Sequence, residues 1–277
     1  MVINKTPDEL SRKANWVRNQ VLEMIVSAGK GHIGGAFSCV DILVALFYGD
    51  ILRYDPKNAA WDERDRFILS KGHSCTALYA ILADQGFFPL TELNKYGKNG
   101  SMLGGHPDKS IPGIEANTGS LGNGLGIAAG FALRGKLDKK DYVSVVLVGD
   151  GECYEGAIWE AALFASHHKL NNLIVIVDRN GQCVNDFTES CNSLDPLTDK
   201  WLSFGWDVVC VDGHSFEDLH KVLSELHLRK SPHPLAIIAE TIKGKGVSFM
   251  ERKLEWHHSV PKDEMLRIAR NELGSNG

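Results

Sequence analysis

Two polar side chains set among glycines mark where chemistry could sit: Asp150 in Gly149-Asp150-Gly151, and Asn180 in Asp178-Arg179-Asn180-Gly181. Each closes an apolar run, Val143 to Val148 and Leu173 to Val177. Both supply hard oxygen donors, which suit Mg²⁺ or Ca²⁺ rather than zinc. Mg²⁺ takes one or two protein carboxylates and completes its shell with substrate phosphates. Glycines let a phosphate come close to the backbone. The pattern therefore reads as a metal-diphosphate site, although two plain turns would carry the same residues.

Three histidines sit in glycine loops: Lys30-Gly31-His32, Lys71-Gly72-His73 and Gly104-Gly105-His106. A fourth, His257, follows the last expected strand. Glycine supplies no packing, so a ring beside it is free to meet a ligand as a donor or as a general acid or base. His167, His168, His214, His220, His227 and His233 read as structural, on helix ends or solvated turns. No His/Cys spacing of a zinc site occurs.

Glu155 and Glu160 lie early in an expected helix, where negative charge is favourable by about 0.3–1 kcal/mol. Glu160, amid Trp159, Ala161, Ala162 and Leu163, is expected to need a partner, which a subunit interface would offer. Gly124-Leu125-Gly126-Ile127-Ala128-Ala129 fits the dinucleotide fingerprint in letters only. The residues before it, Glu115 to Ser120, are not strand-like, as that fingerprint requires.

The elements that must position these groups follow from periodicity and breakers. Val143–Val148, a helix over about 155–169 and Leu173–Val177 make a βαβ unit. Such a unit brings Asp150 and Asn180, about thirty residues apart, to one carboxyl edge, where open α/β sheets bind ligands. Thr6-Pro7-Asp8-Glu9 is a capping box with proline at the first helical position, so a helix starts there and stops near Gly29. Lys30–Gly35 reads as a loop, and a second helix as 38–49. A strand over 66–70, a helix over 74–85, a long polar loop over 97–120 and a small-residue helix after Gly119 come next. Strands over 206–211 and 235–240 flank a helix over 216–229, and a helix over 261–273 ends the chain.

With 277 residues, 43% of them hydrophobic, the chain can bury a proper core, and no linker divides it, so one domain is expected over 1–277. The net charge of −5 excludes a nucleic-acid footprint. Six scattered cysteines without a CxxC suit free thiols in a reducing compartment. The polar N-terminus has no signal-like apolar region, and no apolar run approaches membrane-spanning length. A cytoplasmic location is expected, with no membrane partner, and Met1 and the Ser275-Asn276-Gly277 ending read as natural termini.

Together these residues resemble the N-terminal, thiamine-diphosphate-binding half of transketolase, from about Leu10 to Pro261. GDG followed after about thirty residues by Asn is the general thiamine-diphosphate signature. The segments GKGHIGG, RFILSKGH, GGHPD, TGSLGNGLG, GDGECYEG and SFMERKLEWHH narrow the family. The resemblance implies an α/β fold, a mostly parallel sheet with helices on both faces, of the pyrophosphate-binding type. It implies that Asp150, Asn180 and the backbone carbonyl of Gln182 hold Mg²⁺ or Ca²⁺. Gly149, Gly151 and the backbone around Glu152 would line the diphosphate, with His73 near it. Gly119 and Leu121 would contact the aminopyrimidine. His32, His106 and His257 would face substrate oxygens, His257 being chosen over His258 because it follows Trp256 directly. Glu155 and Glu160 match glutamates placed between the two active sites of the dimer.

Ile33, Lys71, Ser120 and Arg179 stand where proline, asparagine, proline and aspartate are commoner in that family. The chain stops after the first of three domains. The absent part would carry the glutamate that bonds the aminopyrimidine, an aromatic that stacks on it, and the sugar-phosphate contacts. The expected protein is the N-terminal subunit of a split transketolase, an α₂β₂ assembly with a C-terminal subunit that carries the pyrimidine-binding domain. It would move a ketol unit between sugar phosphates. Alternatives are a 1-deoxyxylulose-phosphate synthase-like chain and a 2-oxo-acid dehydrogenase α-like chain.

Overall fold

The computed structural model describes residues 5–274; Met1 and Ser275-Asn276-Gly277, read above as termini, lie outside them. The first helix, α1 (Pro7–Ala28), begins as its sequence requires. The Thr6 hydroxyl accepts from Glu9 N–H, the Glu9 carboxylate accepts from Thr6 N–H, and Gly29 closes the helix in the left-handed region at φ 67°.

Of the glycine-rich stretch expected as loop, residues 30–32 are loop, whereas residues 33–35 open a helix, α2 (Ile33–Ser38), followed by α3 (Val40–Tyr48). Its glycines permit close packing: a Cβ on Gly34 would sit 2.7 Å from the Trp256 carbonyl oxygen. Then come β1 (Arg66–Leu69), α4 (Cys75–Gln85), α5 (Asn123–Leu137), β2 (Ser144–Gly149), α6 (Gly156–His167) and β3 (Leu173–Arg179). The chain finishes with α7 (Thr188–Cys191), α8 (Leu197–Ser203), β4 (Asp207–Asp212), α9 (Phe216–Leu223), β5 (Leu235–Glu240) and α10 (Asp263–Glu272). The helix expected over 216–229 stops at Leu223. Beyond it, hydrogen bonds shorten to three-residue turns such as Leu226 N–H to Leu223 O, and the chain turns back towards β5.

All strand pairs are parallel, in the order β1-β2-β3-β5-β4. Alternate residues point to opposite faces. Phe67, Leu69, Val145, Leu147, Ile174, Ile176 and Ile237 join one core, with α1 to α4 and α9. Ile68, Val146, Val148, Val175, Val177 and Ile238 join the other, with α5, α6 and α8. A sheet buried on both faces needs the near-continuous apolar strands that the sequence displays. The register sets Gly149 opposite Asp178, so the loops after β1, β2 and β3 leave the sheet side by side. Among the described residues no helix is long and apolar enough to cross a membrane.

Candidate active site

Loops from four neighbouring strand ends meet in one cavity of about 90 Å³. The end of β1 brings Lys71 and His73, β2 brings Gly149 to Glu152, β3 brings Asn180 and Gln182, and β5 brings Lys243. Gly35, Leu121, Cys183, Val184 and His257 complete the lining. A wider cavity of about 890 Å³ opens by β4, β5 and α9, but of the site residues expected from sequence it holds only Asn180.

Asp150 is buried, with Oδ1 accepting from Gly151 N–H at 2.7 Å and Oδ2 from Gly181 N–H at 2.6 Å. Burial, then the charge of Asp178, pushes its carboxyl up to about 6. Asn180 Oδ1 accepts from Gln182 N–H at 3.1 Å, and its amide donates to Asp178 at 3.3 Å. The Gln182 side chain turns away and donates to the Arg252 carbonyl at 2.8 Å. The Gln182 carbonyl oxygen meets no donor among the described residues.

These groups fit a small hard cation: a carboxylate, an amide oxygen and a free carbonyl oxygen on adjoining loops. No group of three or more His, Cys, Asp or Glu among the described residues could hold a metal, so a cation here must draw on amide and backbone oxygens. A diphosphate also fits. Lys243 is buried at the cavity wall with its ammonium on the Cys183 carbonyl at 2.7 Å, and burial, then the charge of Lys71, lowers it to about 8.

Lys71, Lys243 and the role of the Glu152 side chain, whose backbone alone was expected at the site, escaped the sequence reading. Lys71 forms a fully buried ion pair with Asp178, which also accepts from Ser38 and Thr241. Burial favours the neutral form of each, and the mutual attraction overrides it: Lys71 is raised and Asp178 lowered. The Glu152 side chain braces three loops, accepting from the Ser70 hydroxyl, from Gly122 N–H at 2.8 Å and from Gly149 N–H at 3.0 Å. Gly122 adopts φ 87°, and a Cβ there would lie 2.6 Å from Glu155 Cβ, so only glycine closes this junction. Lys243 is followed by Gly244 after a strand, the same glycine-loop pattern that singled out the histidines, and could have been found that way.

The histidines gather as expected, with one qualification. The His32 ring lies 5.1 Å from His73, 5.3 Å from His257 and 4.5 Å from His258. His257 lines the inner cavity, and its Nδ1 is buried without a hydrogen-bond partner among the described residues. His258 instead joins His32 and His106 around an outer cavity of about 320 Å³. Burial, then neighbouring charge from His258 and Lys243 respectively, lowers His32 to about 4 and His257 to about 3. Burial, then Lys71, holds His73 well below its ordinary value. These three rings are therefore neutral at pH 7 and can accept as well as donate.

Gly119 borders neither cavity; it faces His106, whose ring would sit 3.1 Å from an added Cβ. Glu155 caps the start of α6, and Glu160 lies one turn on. Both are exposed, so the burial expected for Glu160 does not occur within this chain. The expected structural role of His214 holds: its Nε2 accepts from Ile242 N–H at 2.8 Å, so Nδ1 carries the proton and donates to Asp41 at 2.6 Å. The dinucleotide-like letters over 124–129 lie inside α5, with no strand before them.

Comparison with known proteins agrees with this geometry. Residues 10–277 match the family described as transketolase, thiamine diphosphate binding domain. A Phocaeicola vulgatus protein, one of the subunits of an apulose-4-phosphate transketolase, is 43% identical, over 96% of this chain and 93% of that one. The 6-deoxy-6-sulfo-D-fructose transketolase subunit SqwG of a Clostridium species is 41% identical, over 97% of this chain and 98% of that one. The Campylobacter jejuni transketolase structure superposes with a TM-score of 0.91 at 31% identity, over 98% of this chain and 43% of that one. The chain thus spans nearly the whole of the subunit-type relatives and about two-fifths of the longer transketolase.

Proposed function

We infer, because the chain belongs to the transketolase family as its thiamine-diphosphate-binding part, that it is the N-terminal subunit of a split transketolase. With a partner subunit that supplies the pyrimidine-binding domain, it transfers a two-carbon ketol unit from a ketose to an aldose. One observation carries the reading: Asp150, Asn180, Gln182, His73, Leu121, Lys243 and His257 converge on one cavity at the strand ends. That cavity, about 90 Å³, is far below the roughly 300–1,000 Å³ of a complete ligand pocket. We assign the second wall to a partner subunit, in an α₂β₂ assembly.

Asp150, Asn180 and the Gln182 carbonyl are assigned to Mg²⁺ or Ca²⁺. Gly149, Gly151, the Glu152 backbone, His73 and Lys243 are assigned to the diphosphate, and Leu121 with Gly119 to the aminopyrimidine side. Thiamine diphosphate, when bound, supplies the nucleophilic carbon and the electron sink for C–C cleavage. The chain's own part is orientation and proton handling. Neutral His32 and His257, with His106 opposite at the outer cavity, accept and return protons at the substrate's hydroxyl and carbonyl oxygens. Lys30 and Lys98 line the same outer cavity, which supports a substrate with an anionic tail, as in the phosphate and sulfo names of the two subunit-type relatives. We read the described residues, 5–274, as one pyrophosphate-type domain, and assign Glu155 and Glu160 to the face that meets the assembly. Cysteines that are all free among the described residues support a cytoplasmic setting.

The test is an assay of ketol transfer against pyruvate decarboxylation, with the chain alone and with the protein encoded beside it. Ketol transfer by the pair and none by the chain alone is expected. Turnover by the chain alone refutes the split, and decarboxylation without ketol transfer refutes the reaction.

A further inference from the structure

Two thiols face one another on the rim of this site. Cys183 Sγ and Cys191 Sγ lie 2.8 Å apart, and both are free. A disulfide needs about 2.05 Å, so joining them asks for less than about 1 Å of movement. The backbone already holds the pair in place. Cys183 N–H donates to Asp186 O at 3.0 Å, Gln182 bridges Phe187 in antiparallel fashion, and α7 returns the chain to Cys191. Cys183 is half-buried and Cys191 exposed, whereas Cys39, Cys75 and Cys153 are buried and Cys210 lies against Thr198.

The position of the pair gives it consequence. Cys183 directly follows Gln182, its Cβ lies 3.4 Å from where a Gly151 Cβ would be, and its carbonyl holds Lys243 at 2.7 Å. The far end of the loop is tied down through Arg179, which donates to Thr188 at 2.7 Å and Glu189 at 2.8 Å. Between the two anchors, Val184 and Phe187 are 54% and 48% exposed. The loop is a flap over the Gly151 wall, held at its base and open at its tip.

We propose that Cys183 and Cys191 are a reversible redox pair, which a hydroperoxide closes into a disulfide that clasps this flap and slows exchange of the molecule in the pocket. The exposed Cys191 sulfur attacks the O–O bond and becomes a sulfenic acid as an alcohol, or water, departs. The Cys183 sulfur then attacks that sulfur and expels water. Two thiols and one hydroperoxide give one disulfide, one alcohol and one water; the sulfurs lose two electrons and the O–O bond gains them. A dithiol reverses the step by exchange. Cytosolic disulfides are mostly of this transient, redox-sensing kind. The clasp stands on geometry alone, while its effect on exchange rests on the thiamine-diphosphate reading of the pocket.

The experiment treats the full chain with hydrogen peroxide, blocks remaining thiols and maps peptides by mass spectrometry. The tryptic fragment from Asn180 to Lys200 should lose two hydrogens and escape alkylation. Dithiothreitol should restore it, Cys191→Ser should abolish the change, and thermolysin should cut at Val184 and Phe187 more slowly in the oxidised chain. No internal cross-link, or cross-links spread over other cysteines or between chains, overturns the pair. In the assembled enzyme, wash-out of thiamine diphosphate and Mg²⁺ should be several-fold slower when oxidised and unaffected by peroxide in Cys183→Ser/Cys191→Ser. If the cross-link forms but exchange is unchanged or faster, the clasp is wrong. If the cross-link forms, protects the flap, and neither redox state takes up the cofactor, the pair stands and the functional reading falls.

Discussion

At the scale of single residues, buried charge decides the character of the site. Removing one member of a buried ion pair leaves the other uncompensated. Lys71→Met should therefore cost about 3–5 kcal/mol of unfolding free energy, since Asp178 would keep only neutral donors such as Ser38 and Thr241. A urea midpoint close to wild type would contradict this. The histidines give a pH dependence with a definite sign. His32 and His257 titrate near 6.5 unfolded but at about 4 and about 3 folded. The unfolded chain therefore binds more protons below 6.5, and stability present above that pH is lost as pH falls through 6.5 towards 4. The midpoint measured against pH should fall over that window, and less so in His32→Gln and His257→Gln; a flat profile would refute the cluster's neutrality. Asp150 and Asn180 were legible because each is a polar residue among glycines at the end of an apolar run. The Lys71 ion pair and the bracing role of the Glu152 side chain were not, because their partners Asp178 and Ser70 lie 107 and 82 residues away, and no local pattern announces them.

At the scale of elements, the site is a consequence of strand order. β1, β2 and β3 are adjacent and parallel, so SKGH, GDG and DRNG emerge together although the first lies far upstream in the chain. The βαβ unit of β2, α6 and β3 was readable because its two periods switch cleanly at glycine. Lys30–Gly35 was misread as wholly loop: low helix propensity of glycine argued against α2, and packing against Trp256 and Lys243 overrode it. What holds the loops in common is Glu152, which bonds Ser70, Gly122 and Gly149. Glu152→Ala removes all three acceptor contacts and should cost on the order of 1–3 kcal/mol while loosening the pocket. Faster amide exchange at Gly122 and Gly149 checks it; unchanged protection would show that the loops stand without the brace.

At the scale of the molecule, α6 presents the face proposed to meet a partner. Leu163 and Phe164 on α6 are 62% and 40% exposed, on the helix that carries Glu155 and Glu160. Those glutamates are exposed here, so the partner expected for Glu160 is not found among the described residues. Leu163→Asp should leave the fold of the chain intact and weaken association, read as a shift to smaller species in analytical ultracentrifugation of the co-expressed pair. Unaltered assembly would exclude this face. Residue types and spacing made the chemistry of the wall legible, and the family resemblance implied that the rest of the site lies elsewhere; the small volume of the cavity, about 90 Å³, accords with that.

The most direct measurement is calorimetric titration of thiamine diphosphate into the chain assembled with the proposed pyrimidine-domain partner, with and without Mg²⁺. Saturable binding that requires the metal, and that Asp150→Asn weakens sharply without unfolding the chain, is the predicted result. Absence of binding in the presence of Mg²⁺, or an affinity that Asp150→Asn leaves unchanged, would contradict the assignment of this site.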